Sequence, residues 1–322
     1  MQNSLESGIK NGLELAYGYY TEYGRKMLEE EFGDILDSIA VGLAGSGSEC
    51  FGYDDEISQD HDFEPGFCIF IPGEDIIDSS KEFALKRAYD RLPGEYMGFK
   101  KQKMDPVGGS RHGVIRMDDF FRARCGSSEG EPDVFQWLTI PEYLLGEAVN
   151  GRIFFDKNGR ITKIRERLKQ YPDDIRLKKI AGYLLLIAQS GQYNYGRIVK
   201  RGDTAAAQMA IHEFVNAVLH IGFLIDHRYM PYYKWSFRAF RELETLGNIH
   251  ESLEYLISSG NEAKDYNVKS GMIEDISALV IKILSSEGVT LTRATDLEKQ
   301  AYSVNDRISD GMLRNLDIFA GV

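Results

Sequence analysis

Two carboxylates, Asp60 and Asp62, stand two positions apart shortly before an apolar run at residues 67–71. On a strand, successive side chains alternate between faces, so residues i and i+2 point to the same side. Both carboxylates are therefore expected to converge on one point, while His61 between them points away. Carboxylate oxygens are the ligands that Mg²⁺ takes beside phosphate groups. The spacing predicts a divalent-cation site at Asp60 and Asp62.

A turn of small residues precedes this pair. Gly45, Ser46, Gly47 and Ser48 follow an apolar run at residues 39–43, which is typical of a buried strand. Glycine and serine leave room for a polyphosphate to approach backbone N–H groups. The sequence therefore predicts that these four residues bind a nucleotide.

The elements that must position these residues divide the chain into two parts. The first part alternates strands with helices, and the second, after about residue 160, contains long amphipathic helices without strand signals. We predict an α+β fold, in which a small mixed sheet with helices occupies residues 1–135 and an all-helical domain occupies 136–322, with the boundary between 125 and 160. The predicted strands cover 39–43, 63–71 and 114–117, and the predicted helices include 7–31, 79–92, 173–190 and 203–226.

Composition restricts the classes of function. A formal net charge of −12 over 322 residues argues against broad nucleic-acid binding, although it allows one local basic groove. The three cysteines, Cys50, Cys68 and Cys125, show no C-x-x-C spacing and fit a reducing compartment. Neither a secretory signal pattern nor an apolar run of about 20 residues is visible. We therefore expect a cytoplasmic protein with no membrane partner.

The whole arrangement resembles the signature of the DNA polymerase beta-like nucleotidyltransferase superfamily. That signature is a Gly-Ser pair after a strand, a later glycine, and Asp-x-Asp on the next strand. Here Gly47-Ser48, Gly52 and Asp60-His61-Asp62 take those positions. The longer stretch from Gly47 to Phe63 is similar to bacterial proteins of the DUF4037 family, as are residues 171–174 and 228–235. The resemblance spans roughly residues 35–240.

The resemblance implies an Mg²⁺-dependent nucleotidyltransferase. Such an enzyme moves a nucleoside monophosphate from a nucleoside triphosphate, with ATP as the default donor, to an acceptor hydroxyl on a small molecule, a protein or RNA. Asp60 and Asp62 would bind one or two Mg²⁺ ions. Ser48 and neighbouring backbone amides would hold the β- and γ-phosphates.

One part of the superfamily pattern has no obvious counterpart. Active members usually carry a third carboxylate on a later strand, and the run 112–117 contains no acid. Asp118 or Asp119 would supply this metal ligand if the strand extended that far. Both acids also suit the first turn of a helix, where negative charge meets the positive end of the dipole. The alternative function is therefore a catalytically silent nucleotide-binding or protein-interaction module with the same fold.

A second polar segment, residues 228–235, interleaves basic and aromatic residues around a proline. Such a segment suits stacking on a nucleobase or contact with phosphates, and Lys234 is its candidate nucleotide-binding residue. The other interpretation is a turn between helices whose aromatic rings pack inside the protein.

Overall fold

The computed structural model describes residues 11–55, 63–101 and 111–322. The described residues form two compact units, and the fold is α+β as the sequence predicts. The first unit lies within Met1–Pro132 and Leu144–Lys169, and the second comprises Asp133–Tyr143 and Gln170–Val322.

The first unit contains a four-stranded mixed sheet. Strand β1 pairs antiparallel with β2 and β6, whereas β2 and β5 are parallel, giving the order β5-β2-β1-β6. A separate two-stranded hairpin is formed by β3 and β4. The strands are β1 Ala40–Leu43, β2 Cys68–Ile71, β3 Glu95–Tyr96, β4 Phe99–Lys100, β5 Gly113–Arg116 and β6 Arg152–Asp156.

The register of the sheet decides where the small-residue turn lies. Gly42, near the end of β1, pairs with Cys68 at the start of β2, and Cys68 pairs with Gly113 at the start of β5. The turn after β1 therefore lies at the edge of the sheet where β2 and β5 begin. Strand β2 is shorter than predicted, because Pro65 and Gly66 interrupt the run that leads to it.

Helices cover the sheet and complete the core of the first unit. Val41, Ile69 and Ile71 share one face of the sheet and pack with Leu28 and Leu85 in a buried cluster. Asp78 caps the helix predicted from 79, because its side chain accepts from the Lys81 N–H. The helices are α1 Gly12–Tyr19, a π-turn at Tyr20–Gly24, α2 Arg25–Glu31, α3 Ser48–Phe51, α4 Ser79–Asp90, α5 Met117–Cys125 and, later in the chain, α8 Arg160–Leu168.

Among the described residues of the second unit, the regular secondary structure is helical, joined by turns and loops. Helix α9 (Asp173–Ile187) packs against α11 (Thr204–Ile225) and α15 (Leu297–Asn305). Asp203 caps α11 by accepting from the Ala206 N–H. The helices of this unit are α6 Val134–Thr139, α9 Asp173–Ile187, a π-helix at Ala188–Tyr195, α10 Gly196–Lys200, α11 Thr204–Ile225, α12 Tyr233–Phe240, α13 His250–Ser258, α14 Tyr266–Ser286, α15 Leu297–Asn305 and α16 Gly311–Asn315. Helix α7, Glu142–Val149, has residues in both units.

Helix α11 is long and apolar enough to span a membrane by length and composition. However, 67% of its most apolar window is buried inside the protein. Burial of this kind is the behaviour of a core helix.

The chain does not divide at a single point. Residues 144–169 return to the first unit, because β6 adds to the sheet beside β1, with Ala40 opposite Asp156. One cut near residue 135 would separate β6 from the sheet that it completes.

Candidate nucleotide-binding site

The turn after β1 has a backbone that only glycine adopts without strain. Gly45 and Gly47 have φ angles of +115° and +130°, in a region disfavoured for residues with a Cβ. Asn150 holds the turn from the far side: the Gly45 N–H donates to Asn150 Oδ1 at 2.9 Å, and Asn150 Nδ2 donates to the Gly45 carbonyl at 2.8 Å. The side chain of Asn150 thus fixes both backbone polar groups of Gly45.

Two arginines approach the turn because these glycines carry no side chain. A Cβ built on Gly45 would lie 2.9 Å from Arg124 Nη2, and one built on Gly47 would collide with Glu49 Oε1 and lie 2.7 Å from Arg111 Nη1. Both distances are too short for real contacts. The glycines therefore let two guanidinium groups reach the backbone of the turn.

A cleft of about 320 Å³ opens beside the turn. Its volume is near the lower end of the range for small-molecule sites. Residues from the turn, from β5 and from one side of α5 line it: Ala44, Ser46, Arg111, Ile115, Asp119, Phe120 and Arg124.

Arg124 is the most enclosed cation of the cleft. Its guanidinium lies 4.0 Å from the centroid of the Phe120 ring and 3.4 Å from Glu147 Oε2. Burial lowers the pKa of Arg124, against the opposing effect of Glu147. Its Nε is buried and has no hydrogen-bond partner among the described residues. A buried N–H of a charged group with no acceptor is costly.

The other charges around the turn are two further carboxylates and two further arginines. Arg111 Nη1 lies 3.5 Å from the buried Glu49. Arg165 donates through Nη2 to the carbonyls of Val149 and Asn150, each at 2.6 Å. Asp119 also lines the cleft. With Arg124 and Glu147, three guanidinium groups therefore lie beside three carboxylates. Arg111 and Arg124 are the guanidinium groups that line the cleft, and guanidinium groups bind phosphate through paired N–H donors.

The predicted pair Asp60 and Asp62 lies outside the described residues, and so does His61. The starts of β2 and β5 lie at the same edge of the sheet as the turn. His112, directly before β5, is buried there with Nδ1 3.3 Å from Glu64 Oε1, an arrangement typical of a structural histidine.

Asp118 and Asp119 take different positions. Both lie in the first turn of α5. Asp118 pairs with Arg160 at 3.2 Å and lies near Gly73, just beyond the end of β2. The small-residue turn is at the start of β2, so the structure does not bring Asp118 to it. Asp119 lines the cleft.

Metal ligands are not gathered elsewhere in the part of the chain that the structure describes. No group of three or more His, Cys, Asp or Glu residues there could hold a metal ion. The three cysteines are buried and unpaired with one another, and burial raises the pKa of each thiol.

The remaining predicted residues fall at the turn and in the second unit. Ser46 lines the cleft, and Ser48 is the first residue of α3. Lys234 lies in α12 of the second unit, with Nζ 5.1 Å from the centroid of the Trp235 ring.

Sequence reasoning missed Arg124 and Asn150. Asn150 is 105 positions from Gly45, and no local pattern marks it.

Fold and site together define an α+β protein with an arginine-lined cleft at a glycine turn. Residues 137–236 match the family described as a domain of unknown function, DUF4037. A DUF4037 domain is thus present, and it includes the segments 171–174 and 228–235 that suggested the resemblance. The search of curated proteins and the search of solved structures each found no match.

Proposed function

We propose that this protein is a nucleotidyltransferase that moves a nucleoside monophosphate from a nucleoside triphosphate, by default ATP, to an acceptor hydroxyl. The observation that carries the proposal is the cleft in which the guanidinium groups of Arg111 and Arg124 lie beside Gly45 and Gly47. A polyphosphate would pair with two guanidinium groups and also fit against a bare backbone.

Each cleft residue has a distinct role in this proposal. Arg111 and Arg124 bind phosphate oxygens and offset the charge that develops on the leaving pyrophosphate. Ser46 and the backbone of the turn orient the triphosphate, and Asn150 keeps the turn in the shape that accepts it. Positioning of this kind is the largest part of the protein's task in phosphoryl-group chemistry.

Magnesium enters the proposal only through Asp60 and Asp62. The described residues of the cleft supply one carboxylate, Asp119, and this does not by itself fit a bound Mg²⁺. The two predicted carboxylates would hold the metal, which when bound polarises the reacting phosphate.

The first experiment is calorimetric titration of ATP with and without Mg²⁺. Arg124→Gln removes the charge but keeps a polar side chain, and Arg91→Gln is the matched control, since Arg91 pairs with Glu31 at the surface of the same unit. Hydrogen bonds to charged groups contribute about 1.5–3 kcal/mol, so Arg124→Gln should weaken ATP binding by about 10- to 100-fold.

Two further variants test the metal. Asp60→Asn and Asp62→Asn should abolish the gain in affinity that Mg²⁺ gives. Wild-type affinity in Arg124→Gln and in both aspartate variants would refute the site.

A second candidate function, a catalytically silent nucleotide-binding module, is favoured by the ion pair that Asp118 makes with Arg160 away from the turn. Incubation with α-labelled nucleoside triphosphates and a cell extract separates the two. Label on a metabolite, RNA or protein that disappears in Asp60→Asn supports the transferase. Nucleotide binding without any transfer supports the silent module.

A further inference from the structure

A cleft of about 600 Å³ opens in the second unit beside the π-helix Ala188–Tyr195. Its volume lies within the range of small-molecule sites. π-Helical segments are rare, and they are often found at functional sites. The cleft is called here the helical cleft, and its lining includes Gln189, Gln192, Tyr193, Glu274, Asp296 and Glu298.

Gln192 ties three walls of the helical cleft together. From the π-helix, its Nε2 donates to Glu274 Oε2 on α14 at 2.9 Å. Its Oε1 accepts from the Leu297 N–H at the start of α15 at 3.2 Å. Walls that are already fixed lose little conformational entropy when a ligand binds between them.

Three carboxylates of the helical cleft have oxygen atoms left for a ligand. Asp296 accepts both of its capping hydrogen bonds through Oδ1, and Glu274 accepts one hydrogen bond through Oε2. In the part of the chain that the structure describes, neither carboxylate nor that of Glu298 forms an ion pair. Arg197 lies on the Tyr193 ring, with its Cζ 3.7 Å from the ring centroid, and offsets part of this charge. The helical cleft is therefore negatively charged.

The carboxylates of the helical cleft are spread along it. Among the described residues, no group of three or more His, Cys, Asp or Glu side chains could hold a metal ion. Glu274, Asp296 and Glu298 thus do not converge on a single cation. A ligand whose positive charges are themselves spaced apart matches this distribution better than one divalent ion does.

Apolar surface continues from the helical cleft into a neighbouring cleft of about 330 Å³, which shares Gln189 with it. Met209 and Ala210 line this second cleft together with a further carboxylate, Glu213. The Met209 side chain is 76% exposed. Exposed apolar surface next to carboxylates favours a ligand that alternates methylene groups with positive charges.

We propose that the helical cleft binds an aliphatic polyamine, whose ammonium groups pair with Glu274, Asp296 and Glu298 and whose methylene groups lie against the apolar lining of the two clefts. Single ion pairs near the surface contribute little, so binding depends on several of them together. The proposal is independent of nucleotidyl transfer, since every residue that it uses belongs to the second unit.

Calorimetric titration of the full chain with spermidine at 50 and 200 mM salt tests the proposal. Asp296→Asn removes one charge but keeps a residue that caps helices well, and Glu298→Gln removes another charge. Each variant should weaken spermidine binding about two- to fivefold, and the double variant about tenfold. The affinity of the wild type should fall at the higher salt concentration.

Two matched variants control for the general attraction of a polycation to a protein with a net charge of −12. Asp310→Asn matches the first variant, because Asp310 caps α16 by accepting from two backbone N–H groups as Asp296 does in α15. Glu251→Gln matches the second, because Glu251 is an exposed acid in the first turn of α13. Both control variants should bind spermidine as the wild type does.

Mg²⁺ and the neutral chain octane-1,8-diol, titrated in the same way, define the ligand further. A loss of spermidine affinity that is confined to the Asp296 and Glu298 variants supports the proposal. Absence of spermidine binding at 50 mM salt or equal losses in the control variants would overturn it. Diol binding as tight as that of spermidine, or an equal loss of Mg²⁺ affinity in the cleft variants, would also overturn it.

Discussion

Asn150→Ala is the substitution that most directly tests how the chain builds its glycine turn. The Asn150 side chain makes two hydrogen bonds with Gly45: its Oδ1 accepts from the Gly45 N–H at 2.9 Å, and its Nδ2 donates to the Gly45 carbonyl at 2.8 Å. Alanine removes both and leaves the two backbone groups of Gly45 without those partners. The turn should then open locally while the sheet stays folded.

The magnitude follows from the two bonds. Each contributes about 0.5–1.5 kcal/mol net, so the local opening free energy of the turn should fall by about 2 kcal/mol, or about 30-fold in the opening equilibrium. A disordered turn must be ordered again when a nucleotide binds, so ATP affinity should drop at least threefold. Asn150→Asp keeps the acceptor for the Gly45 N–H but loses the donor, and should fall between alanine and wild type in opening.

Hydrogen exchange followed by mass spectrometry measures the opening directly in peptides that cover residues 44–52. Asn158→Ala is a control in the same unit, because Asn158 Oδ1 only accepts from the Arg160 N–H at the start of α8. That variant should leave exchange at the turn and ATP binding unchanged. Wild-type exchange and wild-type affinity in Asn150→Ala would show that Asn150 does not hold the turn.

Two further predictions concern stability. Burial would raise the pKa of Glu142, but the charge and hydrogen bond of His220 outweigh it, so the folded-state pKa lies below the usual 4.5. The stabilisation from this carboxylate is therefore present above pH 4.5 and is lost as the pH falls through the lower folded value. The melting temperature should drop steeply in acid, and much less so in Glu142→Gln. Arg116→Ala should destabilise the first unit by about 3 kcal/mol in denaturant titrations, because the Arg116 side chain is only 14% exposed and pairs with Glu82. Arg91→Ala, at the surface, should cost under about 1 kcal/mol. Equal denaturation midpoints for the two arginine variants would contradict this prediction.

The sequence by itself determined the local elements around the turn. The apolar runs before Gly45 and after Phe67 predicted β1 and β2, since a buried strand needs little beyond consecutive apolar residues. The helix predicted over 203–226 corresponds to α11, which Asp203 caps through a hydrogen bond that spans only three residues. The α+β division followed from where strand signals stop.

Tertiary structure decided which distant residues meet at the turn. Asn150 and Arg124 reach Gly45 only because β6 joins the sheet beside β1 and α5 runs back along the sheet toward the turn. The pairing register likewise separates Asp118 from the turn, although the superfamily resemblance made it a candidate ligand. Such contacts depend on strand order and register, which are set by packing of the whole sheet and not by neighbouring residues.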